Sequence, residues 1–376
     1  MRKLLYLTFS MALVAALTFY AMWAADRPAG HYLSDLRIKL AVDQGTRADR
    51  GNLLGIQPEL FPTDYQSSER LHRKLAAYLQ QAQDQGLLND KTIVVLPEHV
   101  GTWLMISGEK DELYQAPTLE EAMNWLAASN PLQFARAWLT AKSSSRLDDA
   151  HLRMKSRDMA KDYQLLFGGL AREFHITLVA GSIVLPEPNI IDGRLKAGSG
   201  ALYNTSVVFG RDGAPLGQPQ RQMRPIFDKD PAVGTGDTSQ INVVDTPAGR
   251  LGVLIGNDSW YPDNYRRLDA QGAQLIAVPA YVIGHGVWDQ PWQGYRGMNV
   301  PDSVSLKPGE VSEGQAWHRL TLTAQPPGSR AIAGMSVFLR GQFWDRSSSG
   351  QSFLSSNGQQ FADGEARGAR LLNLWL

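Results

Sequence analysis

The chain of 376 residues is 43% hydrophobic and 20% charged, and its 37 Lys plus Arg balance 37 Asp plus Glu. That length and composition suit a folded chain with an ample core, while a formal charge of zero gives no electrostatic reason to expect a nucleic-acid partner. The absence of any cysteine excludes disulfides, thiolate metal sites and a thiol nucleophile.

Arg2 and Lys3 precede an uncharged, mostly apolar run from Leu4 to Ala25. As a helix rising about 1.5 Å per residue, this run reaches roughly 33 Å, enough to cross a bilayer core. A cleaved signal peptide has a shorter apolar region and a small-residue exit, which Met22-Trp23-Ala24-Ala25 fits poorly. Residues 1–26 are therefore expected to be an uncleaved anchor, touching the membrane through residues 4–25, with export after signal cleavage as the alternative. Arg2 and Lys3 would stay cytoplasmic, leaving the rest on the extracytoplasmic (periplasmic) side. Residues 27–50 are expected to form a stalk, although Leu36, Ile38, Leu40 and Val42 alternate as they would in a short strand. The folded domain is expected over residues 51–376.

Within it, Leu53 to Ile56 reads as a buried strand that turns at Pro58 and Pro62. Ser67 to Gln85 has helical spacing, with Leu71, Leu75, Tyr78 and Leu79 on one face and Gly86 as the stop. Thr92 to Leu96 is a strand closed by Pro97-Glu98, and residues 103–157 form a mostly helical excursion before a helix from Asp158 to Phe174. Strands follow at Ile176 to Leu185 and Leu202 to Phe209, then a hairpin signal at Asp212-Gly213. Ile241 to Val244 and Leu251 to Ile255 flank a turn, a helix runs from Pro262 to Gln271, and Leu275 to Pro279 is another buried strand. Residues 284–314, rich in Gly, Pro and Trp, read as a long irregular loop before a helix at Gln315 to Thr323. Strands at 336–339, 351–355 and 371–376 close the chain. Strands alternating with helices argue for a single α/β domain with a mixed sheet.

The most informative stretch is Arg250 to Asp263, where the apolar run Leu251-Gly-Val-Leu-Ile255 stops at Gly256 and Asn257-Asp258-Ser259 leads to Trp260 and Pro262. A buried strand turning sharply into a helix reads this way, and such elbows hold the nucleophile in several hydrolase folds. Here the tip is glycine, which has nothing to attack with. Glu98 ends its strand where open α/β sheets often place catalytic carboxylates, beside His99. No spacing of His and carboxylates suggests a metal site, and no phosphate loop or Gly-x-Ser-x-Gly elbow is present. Neither a metal nor a cofactor is expected.

Three segments in order are similar to the carbon–nitrogen hydrolase (nitrilase) superfamily. Val94 to Glu98 resembles its strand ending in Pro-Glu. Tyr203-Asn-Thr through Gly213, followed by Gln218 to Ile226, resembles its Tyr-Asn-Thr hairpin leading to a lysine. Leu251 to Pro262, then Gln271 to Pro279, resembles its cysteine elbow, the following helix and the next strand. The resemblance implies a four-layer α-β-β-α sandwich with mixed β-sheets behind the N-terminal transmembrane helix. It also implies a reaction in which a thiolate attacks an amide or nitrile carbon, a glutamate moves the proton and a lysine steadies the oxyanion.

On this resemblance Glu98 takes the general-base position. Counting from the hairpin puts the lysine position on Arg221, or on Arg224 if the hairpin is longer. Gly256 takes the cysteine position, and His99 and Trp260 are expected to border the substrate. Ser329 to Gly334 resembles the family's Arg-Ala-Ile-Glu segment, with Ala333 in place of the glutamate. Removing a triad nucleophile costs on the order of 10⁶ in turnover. The expectation is therefore a domain without thiol-dependent C–N hydrolysis, retained to bind a small-molecule amide- or acyl-type ligand or a partner. Two alternatives stand beside it: hydrolysis or acyl transfer by Glu98 with water or a non-cysteine nucleophile, and a membrane-tethered scaffold assembled as a homo-oligomer. The tryptophans between Val287 and Trp317, with Trp103, would form either an aromatic rim to the site or a packed lid.

Overall fold

The computed structural model describes residues 2–27, 32–225, 232–237, 240–296, 298–323, 330–363 and 368–376. Ile226 and Ser329, at the ends of two motif segments, lie outside the described residues. The helices are α1 (Arg2–Ala25), α2 (Ser68–Asp84), α3 (Asp111–Tyr114), α4 (Leu119–Ser129), α5 (Pro131–Thr140), α6 (Arg146–Met154), α7 (Ser156–Glu173), α8 (Pro262–Ala270) and α9 (Glu313–Leu320). Strands make two mixed six-stranded sheets. The first runs Ile38–Gln44, Ala369–Trp375, Asn52–Gln57, Thr92–Val95, Thr177–Val179, Val208–Phe209. The second runs Val243–Thr246, Gly249–Val253, Leu275–Ala280, Ala333–Phe338, Phe353–Ser356, Gln359–Ala362.

The layers follow from period-two alternation in strands buried on both faces. Leu53, Val95, Leu275 and Ala277 belong to a core between the sheets, with Met335 and Leu354. Their neighbours Leu54 and Val94 face α2 and α7, packing with Leu75, Tyr78 and Phe167. On the other side Ile276 and Val278 meet Leu268 of α8 and Trp317 of α9. The sheets approach so closely that a Cβ on Gly55 would lie 2.5 Å from Met335 Sδ. The fold is an α-β-β-α sandwich.

Two expectations are corrected. Residues 27–50 are not a stalk throughout, because Ile38–Gln44 forms the edge of the first sheet, parallel to Ala369–Trp375 at the other end of the chain. The domain includes Ile38 rather than starting at Gly51. The run Ile176 to Leu185 is not one strand either. Its first part lies in the large sheet, while Ile183–Pro186 joins Leu202–Ser206 and Gln220–Arg221 in a separate three-stranded sheet. A continuous apolar run shows burial, not which sheet accepts the hydrogen bonds.

α1 stands apart: residues 2–22 are exposed, and the helix is long and apolar enough to cross a membrane.

Candidate active site

Glu98 follows the strand Thr92–Val95, and its buried carboxylate accepts hydrogen bonds from Asn204 Nδ2 at 2.8 Å and Gln222 Nε2 at 3.3 Å. Asn204 comes from the small sheet and also donates to Gln222 Oε1 at 3.0 Å. His99, at φ 61°, is held by Ser182 Oγ at its backbone N–H and by Thr102 Oγ1, 3.2 Å from Nδ1. Its Nε2 lies 3.8 Å from Glu98 Oε1, and Tyr281 meets the ring edge-on.

The elbow is a short 3₁₀ helix, Gly256–Trp260, that leads through Tyr261 into α8. Gly256 sits at φ 55°, a left-handed conformation that glycine takes freely. A Cβ there would lie 2.8 Å from Glu98 Oε2 and 3.1 Å from Gln222 Nε2. Ser259 is turned away, bonded to Gly256 O and Thr321 Oγ1 in the interior. Asp258 does not cap α8. Its buried carboxylate accepts the backbone N–H groups of Met223 and Arg224, clamping the elbow to the chain beyond the small sheet. Burial pushes that carboxyl up to about 7, against the pull of the same N–H groups.

Neither of the two arginines counted for the lysine position points at Glu98. Arg221 faces outward, donating to Pro188 O at 3.0 Å with its guanidinium 4.5 Å over Tyr203. Arg224 lies over Tyr261 at 4.1 Å, beside α8. Gln222 points inward instead, and its Nε2 reaches Ile255 O and Asn257 Oδ1 as well as Glu98. The physical reason is sheet register: Thr205 pairs with Arg221 and Ser206 with Gln220, so inward-facing Asn204 stands opposite Gln222. Cross-strand partners share a face, and that rule applied to the Tyr-Asn-Thr motif was the signal that counting through the hairpin missed. Asn204, Tyr281 and Glu313 were also missed as residues of this region.

Glu98, His99, Gln222, Gly256, Trp260, Tyr281 and Glu313 enclose about 30 Å³, room for a water or two but not for an amide. Trp260 is buried edge-on against Trp292, Tyr295 and Trp317. The tryptophans of the loop and α9 thus form a packed lid rather than an open rim. Ala333 belongs to the inter-sheet core. A cavity of about 310 Å³ adjoins the centre, sharing His99, Tyr281 and Ile283 and walled largely by Trp103, Met105, Met123 and Leu152. Among the described residues Trp103 Nε1 and His151 Nε2, both on lining side chains, have no hydrogen-bond partner. Burial holds the His151 imidazole below its ordinary value.

The profile described as "Carbon-nitrogen hydrolase" matches residues 53–324. The chain belongs to the carbon–nitrogen hydrolase family. It is 28% identical over 122 residues to "Probable hydrolase YhcX" of Bacillus subtilis (strain 168), covering 32% of this chain and 21% of that protein. It is 28% identical over 176 residues to "Deaminated glutathione amidase" of Yersinia enterocolitica, covering 44% and 54%. The chain therefore spans about a fifth and about half of these curated relatives. In fold it is similar to an amidase from Nesterenkonia sp., with a TM-score of 0.50, 16% identity, and 88% of this chain and 92% of that one covered. At that identity the likeness concerns the fold alone.

Proposed function

We propose that this is a membrane-anchored carbon–nitrogen hydrolase-family domain that does not run thiol-dependent C–N hydrolysis and instead holds a small amide- or acyl-type ligand beside the former catalytic centre. One observation carries the reading. The place where the family's nucleophile would stand belongs to Gly256, and a Cβ built there would touch the Glu98 carboxylate and the Gln222 amide. Glycine cannot form an acyl-enzyme. Gln222 supplies a neutral amide where an ammonium would stabilise an oxyanion, and loss of one such donor alone costs about 10²–10³ in turnover. The 310 Å³ cavity is within the usual range for small ligands. Its apolar wall suits a short acyl chain, and the unpaired Trp103 N–H suits a carbonyl.

The water-sized space beside Glu98 favours a second reading, hydrolysis by an activated water. Against it, the carboxylate already accepts two amide donors. Calorimetric titration of the full-length protein with hexanamide, run alongside ammonia release, separates these readings. Binding without release is expected, and Met123→Trp should fill the cavity and abolish the heat. Release that disappears in Glu98→Ala would establish the hydrolytic reading, whereas binding unaffected by Met123→Trp would overturn the assignment of the cavity.

A further inference from the structure

Outside α1, the exposed large hydrophobic side chains gather on one feature. Four of the nine among the described residues, Leu132, Trp138, Leu139 and Leu147, lie on the α5–α6 hairpin. Leu132 and Leu139 are 86% and 78% exposed and stand seven residues apart, two turns along one face of α5. The opposite face is packed: Ala137 is buried and Phe134 lies 5.2 Å from the His151 ring of α6. α5 is thus an amphipathic helix with its second apolar face uncovered. Single surface leucines need no explanation, whereas a clustered apolar face marks a contact.

What lies opposite that face is indicated by α1. The helix is fastened to the far end of α4. Trp23 packs 6.1 Å from Trp125, the Tyr20 hydroxyl donates to Ala128 O, and the Lys110 ammonium sits 4.6 Å over Trp23. Just beyond α1, Arg27 pairs with Glu109 and donates to Asn130 Oδ1 at 3.1 Å. α5 begins at the next residue, Pro131, so it starts where α1 meets the domain. Its ten residues extend about 15 Å from there. Tyr20 and Trp23 are the aromatic pair expected at a membrane–water boundary, and Trp138 sits on the neighbouring helix. The chemistry of the segment agrees. The hairpin, residues 131–154, carries Arg136, Lys142, Arg146 and Arg153 against Asp148 and Asp149, the last paired with Arg153, and the Arg146 guanidinium lies 5.7 Å from the Trp138 ring. Exposed leucines on one face with basic groups on the same segment is the pattern of a helix lying in a lipid interface, where anionic headgroups attract the cations.

We propose that the α5–α6 hairpin is a second membrane contact, with Leu132 and Leu139 seated in the interfacial layer of the bilayer that α1 enters. This rests on α1 being a retained anchor. Its consequence concerns the cavity: Leu119 and Met123 of α4 and His151 and Leu152 of α6 line it, so the seated hairpin brings that wall to the bilayer surface, where an acyl ligand partitions.

Because the chain has no cysteine, single cysteines report position cleanly. Full-length protein is reconstituted in vesicles of zwitterionic and anionic phospholipid, with an environment-sensitive fluorophore on Leu132→Cys, Leu139→Cys, Leu13→Cys within α1, or Val300→Cys on an exposed loop of the second half. Spin-labelled lipid is the quencher. The expected result is a blue shift and quenching at positions 132 and 139 as well as 13, with neither at 300. Quenching at 13 while 139 behaves like 300 would overturn the hairpin contact and leave the anchor standing. No quenching at 13 would remove the anchor reading and this proposal with it. A blue shift at 139 without quenching would mean that the face is covered by a second copy of the chain, which also overturns it.

Discussion

Gly256→Cys installs a single thiol in a chain that has none, and the structure predicts how it behaves. A residue other than glycine at φ 55° costs about 1–2 kcal/mol. The Cβ would meet Glu98 Oε2 at 2.8 Å and Gln222 Nε2 at 3.1 Å. Both are ends of rotatable side chains, so relief by small shifts adds on the order of 1 kcal/mol, and a domain of ordinary stability tolerates the sum. The new thiol faces a carboxylate with no ammonium beside it among the described residues, which disfavours the thiolate. Gln222→Lys adds a cation at the same point. Lowering a thiol pKa by one unit raises the reactive fraction about tenfold near neutral pH. Iodoacetamide labelling followed by mass spectrometry at pH 7 should therefore be at least about tenfold faster in Gly256→Cys/Gln222→Lys than in Gly256→Cys alone. Gly256→Cys/Arg221→Lys should match the single variant. Equal rates in the two double variants would refute the convergence of residues 98, 222 and 256, and acceleration by Arg221→Lys alone would restore the position counted through the hairpin.

Three further outcomes follow from the same geometry. Gln222→Leu removes the Asn204–Gln222 bond and one of the two amide donors to Glu98, and should cost about 1–3 kcal/mol in chemical denaturation, whereas Arg221→Leu, losing one backbone bond and a ring contact at the surface, should cost about 1 kcal/mol or less. The raised Asp258 carboxyl, with its folded value of about 7 above the unfolded one, contributes stability that is full below about pH 4 and lost as pH rises to about 7. The stability advantage of the wild type over Asp258→Asn should accordingly shrink across that window, by on the order of 1–4 kcal/mol, in melts run at stepped pH, and a constant gap would refute the raised value. Lys74, fully buried, bonds Asp64 at 2.9 Å and Glu59 O at 2.7 Å. Lys74→Met should cost about 3–5 kcal/mol by leaving a buried carboxylate without its cation, and Asp64→Asn in the same chain should recover part of that loss in denaturant titration.

The sequence was legible where burial is two-sided and local. The strands over Thr92–Val95 and Leu275–Ala280, and the elbow at Gly256, appear as apolar runs that end on turn residues. It was not legible where pairing decides. Ile38–Gln44 is a strand because the opposite end of the chain lies beside it, and the run after Ile176 changes sheets without changing character. The largest consequence came from one step of register. An irregular hairpin carries no periodicity to count, yet in a strand a shift of one residue exchanges the two faces. With Arg221 in the site, the centre would hold a cation able to meet a carboxylate or phosphate. With Gln222 there, it holds amides packed on a carboxylate around water-sized space. The absence of a thiol and, among the described residues, of an inward cation are then parts of one arrangement. The Gln222 amide bonds Glu98 directly and stands where a Cβ on residue 256 would press, so on the proposed reading replacing Gly256 by cysteine alone supplies neither the electrostatics nor the room for thiol-dependent hydrolysis.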